Sequence, residues 1–138
     1  LTEAMEVTGF VRAVLNVSSD AKDTDFAVKL VDVAPDGTAY ILGDTIQRAR
    51  YRDGYDKPKM MTPGAVHSIR PTPITTSNTF LPGHRIRVEI TSSNFPKFTR
   101  NLNTGGNNES DTAFVVARNA IHHAPGEESY IELPVVKR

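Results

Sequence analysis

The fold of this chain is decided by the stretch Met5-Glu6-Val7-Thr8-Gly9-Phe10-Val11-Arg12-Ala13-Val14-Leu15-Asn16-Val17-Ser18. Its odd-numbered positions from 5 to 17 are apolar or glycine, and its even-numbered positions are mainly polar. Since successive side chains of a β-strand point to opposite faces, this alternation predicts one long strand with a buried face and a solvent face. Phe10 and Val14 are the two apolar residues that the pattern places on the solvent face.

Shorter segments of the same kind follow, and proline and glycine mark the turns between them. We predict strands over 26–33, 38–49, 65–70, 85–90, 112–121 and 130–136. The predicted turns are Ala34-Pro35-Asp36-Gly37, Pro63-Gly64, Leu81-Pro82-Gly83-His84 and Pro125-Gly126. The strand over 38–49 is expected to return beside 26–33, and the last two strands to form a final hairpin. About seven strands without any run of helical period indicate an all-β sandwich, jelly roll or barrel.

The length and composition indicate the number of domains and exclude some classes of partner. The 138 residues suffice for a core, and we expect residues 1–138 to form one domain. Lys and Arg number 16, as do Asp and Glu, and this balance argues against binding to nucleic acid or to a membrane surface. The absence of cysteine suits a cytosolic chain but leaves the compartment open. Because the sequence enters a strand pattern soon after Leu1, we expect a piece of a longer polypeptide.

The motifs of common catalytic and metal sites are missing. There is no G-x-S-x-G elbow, no phosphate-binding glycine loop and no H-E-x-x-H pair, so we expect no catalytic residue, cofactor or metal in this chain. His122 and His123 are adjacent in a predicted strand and would face opposite sides. Asp20, Asp23 and Asp25 have the oxygen ligands that calcium prefers, but such residues also satisfy loop backbone, which is the favoured interpretation. Asp25 is expected to accept hydrogen bonds from loop N–H groups.

A loop that is rich in aromatic and amide side chains follows the strand over 85–90. Its residues are Ser92-Ser93-Asn94-Phe95-Pro96-Lys97-Phe98-Thr99-Arg100-Asn101-Leu102-Asn103-Thr104-Gly105. Exposed rings are costly in a connecting loop, so Phe95 and Phe98 are expected either to dock on a neighbouring domain or to fold back on the sandwich. The candidate interface or cleft-rim residues in this loop are Asn94, Phe95, Phe98, Arg100 and Asn101.

Three arginines form a second group of candidate interface residues. Arg48, Arg50 and Arg52 share parity near the end of the predicted strand over 38–49. A solvated edge face is the favoured interpretation. A salt-bridge surface between domains and a site for a carboxylate or phosphate group remain open.

The loop over 92–101 resembles the segment S-S-x-F-P-x-[FY]-x-R-N in the carboxy-terminal domain of the X-Pro dipeptidyl-peptidase family, which includes cocaine esterases and α-amino-acid ester hydrolases. Further similar motifs occur in the same order along most of the chain. They are Leu1-Thr2-Glu3, Glu6-Val7-Thr8-Gly9, Ser18-Ser19-Asp20, Asp23-Thr24-Asp25-Phe26, Lys29-Leu30-Val31-Asp32-Val33, Pro35-Asp36-Gly37, Arg48-Ala49-Arg50-Tyr51-Arg52 and Leu81-Pro82-Gly83-His84-Arg85-Ile86-Arg87-Val88. One departure is Thr99, which stands where many members carry an acidic residue.

The resemblance implies a galactose-binding-like jelly roll that lacks one or more opening strands of the full domain. It also implies that this domain is non-catalytic and packs on an upstream α/β-hydrolase domain of the same polypeptide, which holds the Ser–Asp–His triad. The parent would then be a serine hydrolase of acyl esters or amides, or an X-Pro dipeptidyl-peptidase, whose cleft this domain helps to enclose. Homo-oligomerisation is a further expectation, because a truncated sandwich exposes sheet edges.

Two other functions are compatible with the same strand pattern. A free-standing carbohydrate-binding jelly roll is the alternative, although it needs exposed aromatic side chains on one face and the chain has no tryptophan. A purely structural or oligomerisation domain would differ from the accessory domain only in making no contact with a substrate cleft. Binding to simple sugars would distinguish the first of these from a hydrolase accessory domain.

Overall fold

Two antiparallel β-sheets packed face to face form the structure, a computed structural model that describes residues 1–137. Within these residues the strands are β1 (Met5–Ser19), β2 (Asp25–Val33), β3 (Ala39–Arg48), β4 (His67–Ile69), β5 (Ile74–Phe80), β6 (Arg85–Thr91), β7 (Asn119–Ile121) and β8 (Tyr130–Glu132). A single 3₁₀ turn, Ala49–Tyr51, follows β3. No helix among the described residues is long and apolar enough to cross a bilayer.

The first sheet is built around β1, which is 15 residues long and paired on both sides. On one side β4 and β5 run antiparallel to it in succession, with Ile69 opposite Leu15 and Ile74 opposite Val11. The segment between them contains two prolines, which cannot donate to a ladder and therefore break this strand into two pieces. On the other side β7 and β8 also follow β1 in succession. The sheet is thus three strands wide, and both of its outer strands are interrupted.

The second sheet has the order β3-β2-β6, and all of its pairs are antiparallel. The sequence prediction of a hairpin between β2 and β3 is confirmed, and Gly37 in the turn between them has a φ of 90°. The register shifts between Leu30 and Val31, where β3 has one extra residue. Gly43 of β3 lies so close to Ile74 of the first sheet that a Cβ atom would overlap the Ile74 side chain.

The core lies between the two sheets. As predicted, the odd-numbered side chains of β1 face it. Val7, Val11, Leu15 and Val17 are buried there, and Phe10 on the opposite face is exposed. From the second sheet, the apolar side chains of β2 pack against them, including Phe26, Val28 and Leu30. The fold is therefore the all-β sandwich of the jelly-roll type that the sequence predicts.

The prediction of a strand over 112–121 is wrong for most of its length. Only Asn119–Ile121 pairs with β1, and the apolar run from Ala113 to Ala117 belongs to no strand and is exposed as far as Val116. The register explains the difference, because Asn119 lies opposite Ser19, the last residue of β1. Residues before 119 therefore have no further part of β1 to pair with.

The predicted final hairpin is also wrong, since β7 and β8 pair with β1 and not with each other. A loop over 122–129 separates them, and it is closed by a hydrogen bond of 3.0 Å from the Ser129 N–H to the His122 carbonyl oxygen. The predicted turn is present within this loop, where the Glu127 N–H donates to the Ala124 carbonyl oxygen and Gly126 has a φ of 87°. The turn closes this loop and does not connect two paired strands.

Candidate functional site

A buried cluster of charges holds the aromatic loop to one end of the sandwich. Asp23 and Asp25, at the entrance to β2, are almost completely buried. Arg50 Nε donates to Asp23 Oδ2 at 2.7 Å, and Arg48 Nε donates to Asp25 Oδ1 at 3.0 Å. The Asn101 Nδ2 amide donates to both carboxylates, at 2.9 Å from Asp23 Oδ2 and 2.8 Å from Asp25 Oδ1. We call these five residues the Asp–Arg cluster.

Most of the charged atoms in the cluster have a hydrogen-bond partner. Charges that are buried require such partners. The backbone N–H of Arg50 donates to the other Asp23 oxygen at 2.9 Å, and Arg48 Nη2 donates to Asp25 Oδ2 at 3.2 Å. Hydrogen bonding to Asp25 raises the pKa of Arg48 above its ordinary value. Removing one partner would leave a buried charge uncompensated, so the cluster stabilises one arrangement of these segments.

Both arginines of the cluster also bind the backbone of the loop. Arg50 donates from Nη1 and Nη2 to the Gly106 carbonyl oxygen, each at 3.0 Å. Arg48 Nη2 donates to the Thr99 carbonyl oxygen at 3.2 Å. The guanidinium groups therefore join the strand side of the cluster to both flanks of Asn101, and the loop between them is held at fixed points.

Asp44 of β3 anchors the start of the loop. It accepts hydrogen bonds from the Asn94 Nδ2 amide and from Lys97 Nζ, both at 2.5 Å. The hydrogen bond from Lys97 lowers the pKa of Asp44 below its ordinary value. The Lys97 ammonium also lies 5.7 Å from the centre of the Phe98 ring, within the range of a cation–π contact. Asn94 and Phe98 therefore make contacts within this domain.

Phe95 and Arg100 of the loop, together with side chains of the segment over 114–116, are exposed. Phe95 is 71% exposed, Phe114 is 65% exposed and Val116 is 80% exposed. The Arg100 guanidinium lies 5.9 Å from the Phe114 ring centre, and Phe95 and Arg100 line one shallow groove. We call the exposed side chains of Phe95, Arg100, Phe114, Val115 and Val116 the 95–116 surface. Its apolar side chains lie on the loop that the Asp–Arg cluster holds in place and on the segment over 114–116, where the Val115 N–H donates to the Leu102 carbonyl oxygen.

The predicted site residues thus separate into two groups. Asn94, Phe98, Asn101, Arg48 and Arg50 make internal contacts, whereas Phe95 and Arg100 face outward. Placing the three arginines on one strand face is wrong, because β3 ends at Arg48 and the chain turns through Ala49–Tyr51. Arg52 lies apart from the cluster and donates to the carbonyl oxygens of Ala49 and Lys59.

Sequence reasoning missed two parts of the site. It predicted loop N–H partners for Asp25, whereas Asp25 binds Arg48 and Asn101, which are distant in sequence. It also placed Phe114, Val115 and Val116 in an apolar strand, and they are exposed and belong to no strand. No signal in the sequence could have located this surface, because the run is exposed only by the register of β7 on β1.

A second concave surface lies next to the cluster. It has a volume of about 490 Å³ and is lined by Asp25, Asp44, Thr45, Ile46, Arg48, Tyr51, Tyr55, Thr72, Phe98, Thr99 and Glu109. The Tyr51 and Tyr55 rings are 5.4 Å apart and tilted by 34°. We call this surface the tyrosine groove. Its aromatic rings and polar groups are of the kind that line small-molecule sites.

The residues considered for metal binding have other partners. Asp20 accepts a hydrogen bond from the Arg118 backbone N–H at 2.8 Å, and His122 Nε2 lies 2.9 Å from Ser18 Oγ. In the part of the chain that the structure describes, no three or more His, Asp or Glu side chains are grouped as metal ligands. The carboxylates of Asp23 and Asp25 bind arginine instead.

Comparison with known proteins assigns the family. The profile of the X-Pro dipeptidyl-peptidase C-terminal non-catalytic domain matches residues 1–132. A cocaine esterase of Rhodococcus sp. (strain MB1 Bresler) is 50% identical over 140 residues, which include the whole of this chain and 24% of that protein. The chain therefore spans about a quarter of the length of this curated relative.

Solved structures agree with this assignment. An α-amino acid ester hydrolase superposes with a TM-score of 0.94 at 32% identity, and an aminopeptidase from the marine sediment archaeon Thaumarchaeota archaeon superposes with a TM-score of 0.89, also at 32% identity. Each match covers 99% of this chain and 24% of the other chain. The chain belongs to the family of X-Pro dipeptidyl-peptidase C-terminal non-catalytic domains.

Proposed function

We propose that this chain is the accessory domain of a larger serine hydrolase of acyl esters or amides, such as an esterase or an X-Pro dipeptidyl-peptidase. In this proposal it packs on an upstream α/β-hydrolase domain of the same polypeptide and helps to enclose the substrate cleft. Its similarity to a quarter of an esterase and of an ester hydrolase supports this role. The catalytic triad would lie in the upstream domain.

The observation that carries the proposal is the exposed 95–116 surface. Burying a Phe or Val side chain fully contributes about 1.5–3 kcal/mol, so covering the two exposed rings and the two exposed valines would be a strong driving force for contact. The Asp–Arg cluster and Asp44 hold the loop in one arrangement. Binding of a partner to this surface would therefore require little further ordering of the loop backbone. This preorganisation favours binding.

Replacing Phe95 and Phe114 together by serine in the intact hydrolase polypeptide tests the docking. Because both rings are mainly exposed here, the double variant should leave this domain folded and weaken its contact with the catalytic domain. We expect the midpoint of thermal inactivation to fall by about 5 °C or more, with a lower kcat/KM and faster proteolytic release of this domain.

Phe10→Ser is the matched control, since Phe10 is also exposed but lies on the outer face of β1. It should change neither inactivation nor release of the domain. A double variant that behaves like the Phe10 control in all three measurements would show that the 95–116 surface is not the docking site.

A carbohydrate-binding role is the second candidate, and the tyrosine groove favours it. Saccharides bind aromatic rings through their apolar faces and polar side chains through their hydroxyl groups, and the groove offers Tyr51, Tyr55 and Phe98 beside Asp44 and Arg48. Calorimetric titration with simple sugars tests this role. Saturable binding that Tyr55→Ala removes would support it, and absence of heat with the whole panel would contradict it.

Self-association of the intact protein is a further part of the proposed function. Tyr40 and Ile41 are exposed on β3, which is an edge strand of the second sheet. Edge strands with apolar side chains readily pair with a second copy unless they are covered. Sedimentation of the intact protein and of its Ile41→Lys variant measures this, and we expect a dimer that the charge disrupts.

A further inference from the structure

Ser18, His122 and Glu127 meet on the outer face of the first sheet, and none of them belongs to the 95–116 surface or to the tyrosine groove. Ser18 Oγ lies 2.9 Å from His122 Nε2, and His122 Nδ1 lies 3.5 Å from Glu127 Oε2. A hydroxyl, an imidazole and a carboxylate in this order are the parts of a nucleophile that a general base activates. We propose that these three residues form an acyl-acceptor site, at which the Ser18 hydroxyl takes an acyl group from an activated carboxylic ester.

The pairing of β1 with β7 brings the hydroxyl and the imidazole together. Val17 lies opposite Ile121, and both side chains pack on the core. The His122 N–H donates to the Asn16 carbonyl oxygen at 2.8 Å, so the antiparallel register continues through His122. Ser18 and His122 therefore project from the face of the sheet that is opposite to the core, as diagonal neighbours on adjacent strands.

The backbone that carries the imidazole and the carboxylate is held by hydrogen bonds. The His122 carbonyl oxygen accepts from the Ser129 N–H at 3.0 Å and from Ser129 Oγ at 2.8 Å. Ser129 Oγ in turn accepts from the Asn16 N–H of β1 at 2.9 Å. Glu127 lies in the turn between, where its N–H donates to the Ala124 carbonyl oxygen at 2.9 Å. Positioned groups of this kind need little further ordering before they react.

All three side chains are open to a small reagent. Ser18 is half-buried, the His122 side chain is 27% exposed and the Glu127 side chain is 45% exposed. A carboxylate beside Nδ1 favours the tautomer of the neutral imidazole that carries its proton on that nitrogen. The lone pair of Nε2 is then free to accept the proton of Ser18.

The proposed step is a single acyl transfer. Ser18 Oγ forms a bond to the carbonyl carbon of the ester while its proton passes to His122 Nε2, and the bond from that carbon to the leaving oxygen breaks. The leaving group departs with the bonding electron pair, and the imidazolium returns its proton to the leaving group or to solvent. The product is an ester of Ser18, whose alkoxide is a far poorer leaving group than a phenolate. We therefore expect one transfer per chain and no turnover, which agrees with the absence of hydrolysis expected of this domain.

Treatment of the intact protein with excess p-nitrophenyl acetate, followed by peptide mapping by mass spectrometry, tests the proposal. We expect a stable acetyl group on Ser18, added at least about 100-fold faster than on Ser77, because a positioned general base contributes about 10²–10⁴-fold. Ser77 is the matched control, since it is an exposed serine on the same face of the sheet whose Oγ lies 3.0 Å from Thr8 Oγ1 and not beside an imidazole.

Substitutions separate the three roles. His122→Gln should slow the acetylation of Ser18 by about 100-fold or more, because the base is lost. Glu127 acts through His122 and is a positioning residue, so Glu127→Gln should slow the reaction by about 10-fold and shift the ring-nitrogen NMR signals of His122 away from the Nδ1-protonated tautomer. Ser77→Ala should leave the acetylation of Ser18 unchanged.

Three results would overturn the proposal. One is acetylation of Ser18 in the unsubstituted protein that is no faster than that of Ser77, a comparison that depends on no variant being folded. Another is an unchanged rate in the His122→Gln variant. The third is transient acetylation of His122 that persists in a Ser18→Ala variant at the rate of the parent, since the imidazole would then be the nucleophile. An unchanged rate and an unchanged tautomer in Glu127→Gln would remove Glu127 from the site.

Discussion

Asn101 is the residue on which both buried carboxylates of the Asp–Arg cluster depend. Its amide nitrogen is shared between Asp23 and Asp25, and its Oδ1 accepts a hydrogen bond from the Asn103 N–H at 2.9 Å. One side chain thus connects two carboxylates at the entrance of β2 with the loop that carries the 95–116 surface. The position requires an amide, because a carboxylate there would add a third negative charge and an apolar group could not donate.

Replacing Asn101 by alanine should destabilise the domain by about 1–3 kcal/mol, since two buried acceptors each lose a donor. Chemical denaturation of the intact protein measures the free energy of unfolding. Asn107→Ala is the control, because the Asn107 side-chain oxygen accepts only an exposed loop N–H, and it should change that free energy by less than about 0.5 kcal/mol. Equal effects of the two variants would contradict the assigned role.

Asp44 makes the start of the loop sensitive to acid. Its pKa is lowered in the folded state by the hydrogen bond from Lys97. The contribution of the Asp44 carboxylate to the stability of the folded state is therefore fully present above the ordinary Asp pKa. It is lost as the pH falls through the lower pKa of the folded state. We expect acid to release the loop over 94–98, with loss of chemical-shift dispersion for Phe98. The Asp44→Asn variant should lack this step, and a step that persists in the variant would have another cause.

At the scale of elements, two segments that the sequence predicts as strands have opposite surroundings. β1 is paired on both sides and its odd-numbered side chains fill the core. The run from Ala113 to Ala117 extends past the end of β1 and stays exposed. The exposure of this run is not evident from the local sequence, because it depends on whether a partner strand reaches that far.

Truncating one side chain in each segment measures this contrast. Leu15→Ala should cost about 2–5 kcal/mol of unfolding free energy, because it leaves a cavity in the core. Val116→Ala should be within about 0.5 kcal/mol of the parent when this chain is studied alone. In the intact hydrolase the second variant should also weaken docking. A large loss of stability from Val116→Ala in the isolated chain would place that side chain in the core.

At the scale of the whole molecule, the chain belongs to a family of non-catalytic domains, and in our proposal the reaction takes place in another domain of the parent. We expect no hydrolysis of p-nitrophenyl esters or of Xaa-Pro anilides by this chain alone, measured against the intact hydrolase at equal concentration. Turnover by the chain alone that a serine-directed inhibitor abolishes would contradict this prediction.

Much of the fold was predictable because the determining signals are local. The alternation in β1, the hairpin between β2 and β3 and the turn at Gly83 each depend on side-chain parity or on the backbone preferences of proline and glycine. The resemblance motif over 92–101 also located the loop at the centre of the candidate site. Phe95 and Arg100, whose side chains face outward, were among the candidate interface residues predicted from the sequence.

The sequence by itself thus determined that β1, β2, β3 and β6 are strands and which side of β1 faces the core, since parity is set between neighbouring residues, but it did not predict β5. Only the tertiary structure decided which strands pair, that Asp23 and Asp25 bind arginines and Asn101 far along the chain, and that Phe114 and Val116 remain outside the sheet. These features depend on where distant strands end relative to one another, and no local pattern contains that information.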